Sequence, residues 1–154
     1  MPSFFERVIL FVATGAYSGY SPIAPGTVGT LVGVGIYLII CNTSPLVYST
    51  IALFLFFPAV LVSGKAEKIL NEQDSKHIVI DEIFGFIVTM AFVPSGLLYI
   101  VLGFIFFRVL DILKIFPINF FEKKVKGGYG IVLDDLLAGI YANILLQVVG
   151  FFGF

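Results

Sequence analysis

The sequence predicts an all-α, polytopic membrane bundle of about five short transmembrane helices preceded by an N-terminal interfacial helix. Of the 154 residues, 59% are hydrophobic and only 12% are charged, whereas soluble domains are about 45–50% apolar. The charges are also sorted along the chain, because residues 8–64, 83–107 and 136–154 carry none. We expect one domain over 1–154. The net charge of −1 gives no indication of a nucleic-acid partner.

The chain opens with a short helix and a loop. Ser3 and Glu6 have the spacing of a capping box, which predicts a helix over about residues 4–14. This helix is short for a transmembrane span, and its length suits a helix that lies in the membrane interface. Between Thr14 and Thr30, four glycines and two prolines favour a structured loop.

A transmembrane hairpin follows this loop. Its arms are the apolar runs Val28–Cys41 and Leu46–Val62, and its turn is Asn42–Pro45. In an alternative interpretation, the first arm begins inside the preceding loop. We expect the second arm to continue as a polar helix through Lys65–Asn71.

The segment Ile83–Phe107 has two interpretations. It is long enough for one span, yet Pro94–Gly96 lies in its middle and allows a short hairpin. The hairpin places all nine Lys and Arg residues on the cytoplasmic side, as the positive-inside rule asks. We therefore favour the hairpin, followed by a last span over Leu136–Phe154.

Acidic residues immediately before an apolar helix are the first candidates for chemistry. Asp81 and Glu82 occupy this position, and carboxylates at the edge of the hydrocarbon are costly unless they are paired or bind a metal. The simpler alternative is that Asp81 caps the helix.

Two further charged segments reach the same boundary. Arg108, Asp111 and Lys114 recur every third residue and share a helix face, either as an ion-pair ladder or as a site for a metal and a phosphate. Asp134–Asp135 opens the last apolar run, so that one aspartate is expected to be the N-cap while the other is free for a site. The segment Gly127–Gly130 allows close approach of an anion to the backbone.

The ligand chemistry points to a hard cation. The carboxylates are not accompanied by a His or Cys cluster, since the chain has one His and one Cys. Oxygen ligands of this kind match Mg²⁺. His77 is expected to form hydrogen bonds rather than to catalyse, and Cys41 to be a small buried hydrophobe.

Taken together, the motifs resemble those of the phosphatidylglycerophosphatase A family. The matching stretches span nearly the whole chain in the family's order: Ser18–Thr30, Ile78–Gly85, Phe107–Lys114 with Pro117, Glu122, and Gly127–Gly139. Two departures are visible, because Ile115 replaces a frequent proline and Thr30 replaces the usual serine.

The resemblance implies a Mg²⁺-dependent enzyme that hydrolyses phosphatidylglycerophosphate to phosphatidylglycerol and phosphate at the cytoplasmic face of the bacterial inner membrane. The residues that it carries onto this sequence are Asp81, Glu82, Arg108, Asp111, Lys114, Glu122, Gly127, Gly128, Asp134 and Asp135, with Asp74 a weaker match.

The resemblance leads to a hypothesis about the role of each of these residues. Asp81 and Asp111, with Asp134 or Asp135, are expected to hold Mg²⁺, and Glu82 to position or deprotonate the attacking water. The substrate phosphate is assigned to Arg108, Lys114, Thr27 and the amides of Gly127 and Gly128. We rank direct attack by water ahead of an aspartyl-phosphate intermediate.

Two alternatives stay open at this point. In the first alternative, the same site acts on another lipid phosphomonoester. A non-catalytic lipid-binding or transport-related protein is the second alternative, and it would place polar groups at mid-span rather than at the boundary. The phosphatidic acid phosphatase class is excluded, because Leu97 stands where that class has a histidine.

Overall fold

A computed structural model of the chain describes residues 3–114, 116 and 125–153. The described residues form helices and one 3₁₀ turn, Ser18–Tyr20, and contain no strand. The six helices are α1 (Phe4–Ala13), α2 (Pro25–Ile40), α3 (Pro45–Leu70), α4 (Ile80–Thr89), α5 (Leu97–Leu113) and α6 (Gly128–Phe151). The all-helical prediction is confirmed.

Helix α1 begins with the predicted capping box. The Glu6 amide donates to Ser3 Oγ at 3.3 Å, and the Ser3 amide donates to Glu6 Oε2 at 2.6 Å. This exchange satisfies two of the backbone N–H groups that a helix start leaves without partners. Helix α1 packs on α3, with Ala13 buried in a small apolar cluster that includes Ala66.

The predicted loop is shorter than expected, because α2 begins at Pro25. Pro25 occupies the first turn, where its missing N–H costs no hydrogen bond. The glycines that suggested a loop instead allow close packing: a side chain at Gly29 would collide with Val79, and one at Gly33 would meet Phe86 at 3.2 Å. They let α2 lie against α4.

The two predicted hairpins are both present as helix pairs. Helices α2 and α3 are separated by the turn 41–44, and α3 continues to Leu70 as predicted. Helix α4 ends at Thr89, and α5 begins at Leu97 after a turn that contains Pro94–Gly96.

Contacts show that α4 and α5 run antiparallel. Gly85 lies against the Phe107 ring, and Gly103 lies against Met90 at the opposite end of the pair. The interpretation of 83–107 as a single helix is therefore wrong. The charged segments that flank the pair meet at one end of the bundle.

The last helix begins earlier than predicted. It starts at Gly128 with Gly127 as its N-cap, so neither Asp134 nor Asp135 is the cap, and the expected start at Leu136 is wrong. Gly127 has φ 72°, a left-handed conformation that glycine adopts without strain. The aspartates lie in the second turn, inside the bundle.

Helix α4 is the centre of the fold. It packs against α2, α3, α5 and α6, and seven of its ten residues are buried. A ten-residue helix rises only about 15 Å, which is half the hydrocarbon thickness. It is therefore a core helix enclosed by its neighbours.

Two described helices, α3 and α6, are long and apolar enough to cross a membrane. Each also exposes large apolar side chains along its length, such as Phe54 and Leu61 on α3 and Ile144 and Val148 on α6. A face of this kind is stable against lipid rather than water.

Candidate active site

A close helix crossing brings two of the predicted carboxylates together. Gly85 of α4 and Gly139 of α6 touch, since a side chain at Gly139 would meet the Gly85 carbonyl oxygen. Asp81 and Asp135 each lie four residues, or one turn, before these glycines. Because both helices start at the same end of the bundle, the crossing places the two aspartates side by side.

Asp81, Glu82 and Asp135 form the acidic cluster. Each offers a carboxylate oxygen, and the three oxygens lie within 4.8 Å of one another. Asp81 is 8% exposed and Asp135 is 3% exposed. One oxygen of each residue (Asp81 Oδ1, Glu82 Oε2 and Asp135 Oδ2) is buried without a hydrogen-bond partner.

The cluster is electrostatically costly as it stands. Burial raises the pKa of Asp81 well above its ordinary value, and the adjacent Glu82 carboxylate raises it further. Burial likewise raises the pKa of Glu82. Buried like charges with unsatisfied oxygens are normally compensated by a cation or a partner. Three converging carboxylates are a suitable ligand set for a divalent cation with affinity for oxygen.

Arg108 and the start of α2 flank this cluster. A side chain at Gly26 would collide with Glu82 Oε1 and approach Arg108 Nη2 at 3.0 Å. The guanidinium Nε is buried without a hydrogen-bond partner. The N-cap of α2 is Ala24, which provides no side-chain hydrogen bond to the first turn. The first turn of α2 and a guanidinium therefore lie beside the carboxylates, an arrangement suited to a phosphate.

The remaining predicted charges surround the cluster rather than join it. Asp111 Oδ2 pairs with Arg108 Nη1 at 2.7 Å, and Lys114 Nζ donates to Asp134 Oδ2 at 3.1 Å. Asp111 and Asp134 are thus outside the group of three whose oxygens converge, and Glu82 takes the third position. The Arg108–Asp111 contact has the i, i+3 geometry of the ladder that was the alternative interpretation.

The glycine-rich segment has a packing role. Gly128 lies against the Val60 carbonyl and the Gly64 amide of α3, and Gly130 lies against the Val125 carbonyl. The first turn of α6 is therefore held against neighbouring backbone, which accounts for both glycines without a ligand. Thr27 is half-buried in the first turn of α2, and Glu122 lies outside the described residues.

Sequence reasoning missed the contact of Gly26 with Glu82 and Arg108. The available signal was the pair Pro25–Gly26, because proline favours the first position of a helix and glycine permits close approach. Sequence reasoning placed Glu82 at the site with the attacking water rather than among the converging carboxylates, since adjacent residues on a helix do not normally face the same way.

Fold and site together define a small helical protein with two helices long and apolar enough to cross a membrane and, among its described residues, one buried acidic site bordered by an arginine and the start of a helix. The sequence profile of phosphatidylglycerophosphatase A matches residues 11–150. No solved structure is significantly similar to the chain.

Two relatives carry the family's name. Phosphatidylglycerophosphatase A of Escherichia coli K12 is 32% identical over 140 residues, covering 90% of this chain and 81% of the relative. That of Haemophilus influenzae Rd is 35% identical over 145 residues, covering 90% and 86%. A putative phosphatidylinositol-3-phosphatase of Bacteroides thetaiotaomicron is 34% identical over 156 residues, covering 96% and 94%.

This chain belongs to the phosphatidylglycerophosphatase A family. The resemblance seen in the motifs is confirmed, and the chain is a phosphatase. Family membership and the two long apolar helices make it a membrane protein.

Proposed function

We propose that the protein hydrolyses phosphatidylglycerophosphate to phosphatidylglycerol and inorganic phosphate, with Mg²⁺ bound at the acidic cluster. The observation that carries this proposal is the convergence of Asp81, Glu82 and Asp135 within 4.8 Å, beside Arg108 and the first turn of α2. Two relatives named for this activity support the choice of substrate.

The ligand set fits Mg²⁺. Its donors are carboxylate oxygens, and each residue keeps one buried oxygen without a hydrogen-bond partner. Asp81, Glu82 and Asp135 would hold the ion, with water and substrate oxygens completing the six ligands that Mg²⁺ prefers. When bound, the ion would neutralise negative charge that develops on the phosphoryl oxygens.

The protein's own groups account for binding and proton transfer. Arg108 and the N–H groups of Gly26 and Thr27 would bind the terminal phosphate. Glu82 belongs to the acidic cluster and also lies beside Arg108 at the start of α2. One of its oxygens would therefore accept a proton from the attacking water. The water oxygen bonds to phosphorus, the bond from phosphorus to the glycerol oxygen breaks, and that oxygen takes up a proton.

The helix directions support a multi-pass topology. The C-terminal ends of α3 and α5 and the N-terminal ends of α2, α4 and α6 all lie at the site, so the described chain passes back and forth between the two ends of the bundle. Lys65 and Lys68 lie near the same end. By the positive-inside rule, this end faces the cytoplasm of a bacterial inner membrane.

The site's position also favours lipid chemistry over transport. Asp134 and Asp135 lie in the second turn of α6, and Arg108 lies near the end of α5. Charges at helix ends reach the depth of a lipid head group, whereas a transport site lies near the midplane.

A second substrate has specific support. The relative from Bacteroides is named a putative phosphatidylinositol-3-phosphatase and aligns with 96% of this chain. A phosphate on an inositol head group presents the same phosphomonoester to the same cluster.

Phosphate release from defined mixed micelles tests both substrates. The purified protein is expected to release phosphate from phosphatidylglycerophosphate when Mg²⁺ is present. Phosphate release should stop when a chelator is added and recover when Mg²⁺ is restored. Faster release from phosphatidylinositol 3-phosphate would favour the second substrate. Full activity in the chelator would contradict the metal assignment.

A further inference from the structure

A cavity lined by both polar and apolar groups adjoins the acidic cluster, and nothing in the mechanism above uses it. It has a volume of about 340 Å³, within the range of about 300–1,000 Å³ that ligand pockets occupy. It lies between the last turn of α3, the segment that follows α3, and the start of α6. Its polar side chains are those of Glu67, Gln73, Asp74, Lys126 and Asp134.

The cavity runs from the surface to the site. Gln73, Asp74 and Lys126 are exposed at its mouth, whereas Asp134 at its inner end is 8% exposed. Asp134 is adjacent to Asp135 of the cluster, and its Oδ1 accepts a hydrogen bond from the Asp135 amide at 3.2 Å. A ligand that reaches Asp134 therefore lies next to the position of the terminal phosphate.

The lining selects against an anion and against a second metal ion. Three carboxylates, those of Glu67, Asp74 and Asp134, border the space and would repel a phosphate. Among the residues that the structure describes, the only acidic group that converges closely enough to hold a cation is that of Asp81, Glu82 and Asp135.

The same lining suits hydroxyl groups. Carboxylates and the Gln73 carbonyl accept hydrogen bonds, and the Gln73 amide and Lys126 donate them. Glu67 also shapes the mouth, because its Oε1 accepts a hydrogen bond at 2.8 Å from the amide of Asp74, which has φ 47°. A hydroxyl group, which both donates and accepts hydrogen bonds, satisfies this set.

We infer that this cavity binds the hydroxyl-bearing polyol portion of the lipid head group, so that Gln73, Asp74 and Asp134 determine which phosphomonoesters are accepted. The inference rests on the proposed function, since the phosphate bound beside Arg108 would orient the glycerol toward Asp134. It extends that function from phosphate chemistry to head-group selection.

The test compares phosphatidylglycerophosphate with its analogue that lacks the free glycerol hydroxyl. The wild-type protein is expected to prefer the natural substrate by about tenfold in kcat/KM, the effect of one buried hydrogen bond. Gln73→Ala is expected to reduce this preference to about threefold or less while leaving turnover of the analogue unchanged, and Asp74→Asn is expected to reduce the preference by a similar factor. Asn tolerates the left-handed backbone at position 74, so the second variant keeps the local fold.

Lys68→Ala is the matched control, because Lys68 is exposed on the same turn of α3 but does not line the cavity. It is expected to keep the wild-type preference. Equal use of both substrates by the wild type, or an unchanged preference in both cavity variants, would overturn the inference while the proposed function stands. No release from either substrate would overturn the proposed function and the inference together.

Discussion

The two ends of α4 differ in whether their polar groups have hydrogen-bond partners. At the far end, Asn143 Nδ2 donates to the carbonyls of Thr89 at 2.8 Å and Ala91 at 2.7 Å. Two residues before Thr89, the Tyr48 hydroxyl donates to the Ile87 carbonyl at 2.6 Å. At the site end, buried oxygens of Asp81 and Glu82 have no hydrogen-bond partner.

This difference separates structure from function within one helix. A carbonyl at a helix end inside an apolar bundle must be satisfied, and the far end does so with side chains from α3 and α6. At the site end, carboxylate oxygens lack hydrogen-bond partners and the charges lie close together, which lowers the stability of the fold. Such an arrangement is retained where a bound ligand provides the missing contacts. Substitutions at the site end should therefore change activity more than stability, and those at the far end the reverse.

The largest expected effect is that of Asp135→Asn. It removes a cluster oxygen, and we expect phosphate release to fall by about 10²–10³-fold or more. The thermal midpoint without metal should stay the same or rise, because one of several mutually repelling buried charges is lost. Phosphate release and thermal unfolding, measured on the same preparation, check both parts. Retained activity, or a clear drop in the midpoint, would contradict the proposed difference between the two ends of α4.

Gly26→Ala should have the next largest effect. The added methyl group collides with Glu82 and approaches Arg108, so both side chains must move away from the phosphate position. We expect kcat/KM to fall by about 10²-fold, as misplacement of about 1 Å can cause. Steady-state kinetics on the folded variant provide the measurement.

Gly35→Ala is its control on the same helix, since nothing lies within 4 Å of a side chain there. This variant should keep the wild-type rate. Equal losses in the two variants would show that helix α2 as a whole, rather than its first turn, is sensitive.

Arg108→Lys sharpens the assignment of the phosphate site. Lysine keeps the charge but loses the planar fork that binds two oxygens at once. We expect KM to rise by about tenfold with a smaller change in kcat, corresponding to about 1.4 kcal/mol of lost binding. Kinetics over a range of substrate concentrations separate the two parameters. A variant with unchanged KM would assign Arg108 to the ion pair with Asp111 alone.

Asn143→Ala tests the far end and should have the smallest effect on activity. It leaves the Thr89 carbonyl without this donor, at a cost of about 0.6–2 kcal/mol in a membrane protein. The thermal midpoint should fall while kcat per folded molecule is kept. A kcat loss larger than the stability loss would contradict the division between the two ends.

Much of the fold was predictable because apolar runs and turn residues report local structure. The capping box at Ser3 and the break at Pro94–Gly96 act within a few residues, and both predictions were confirmed. The start of α6 was predicted too late, since aspartate before an apolar run is a typical N-cap signal. Here tertiary packing of Gly128 on α3 extends the helix backward by two turns.

The composition of the site was less predictable than its location. Sorted charges indicated that the carboxylates meet at one end of the bundle, and Asp81 and Asp135 do meet. Which third carboxylate joins them also depends on how α5, which carries Asp111, packs beside α4 and α6, and sequence spacing does not encode this packing. Glu82 joins the cluster, whereas Asp111 pairs with Arg108.

Mg²⁺ binding by calorimetry tests the central claim most directly, with wild-type protein, Asp135→Asn and Asp134→Asn compared under one condition. Asp134 is the neighbouring residue on α6 and lies outside the converging group. We expect saturable binding by the wild type, affinity reduced by more than about 100-fold in Asp135→Asn, and a change within about threefold in Asp134→Asn. Unchanged binding in Asp135→Asn, or a larger loss in Asp134→Asn, would contradict it.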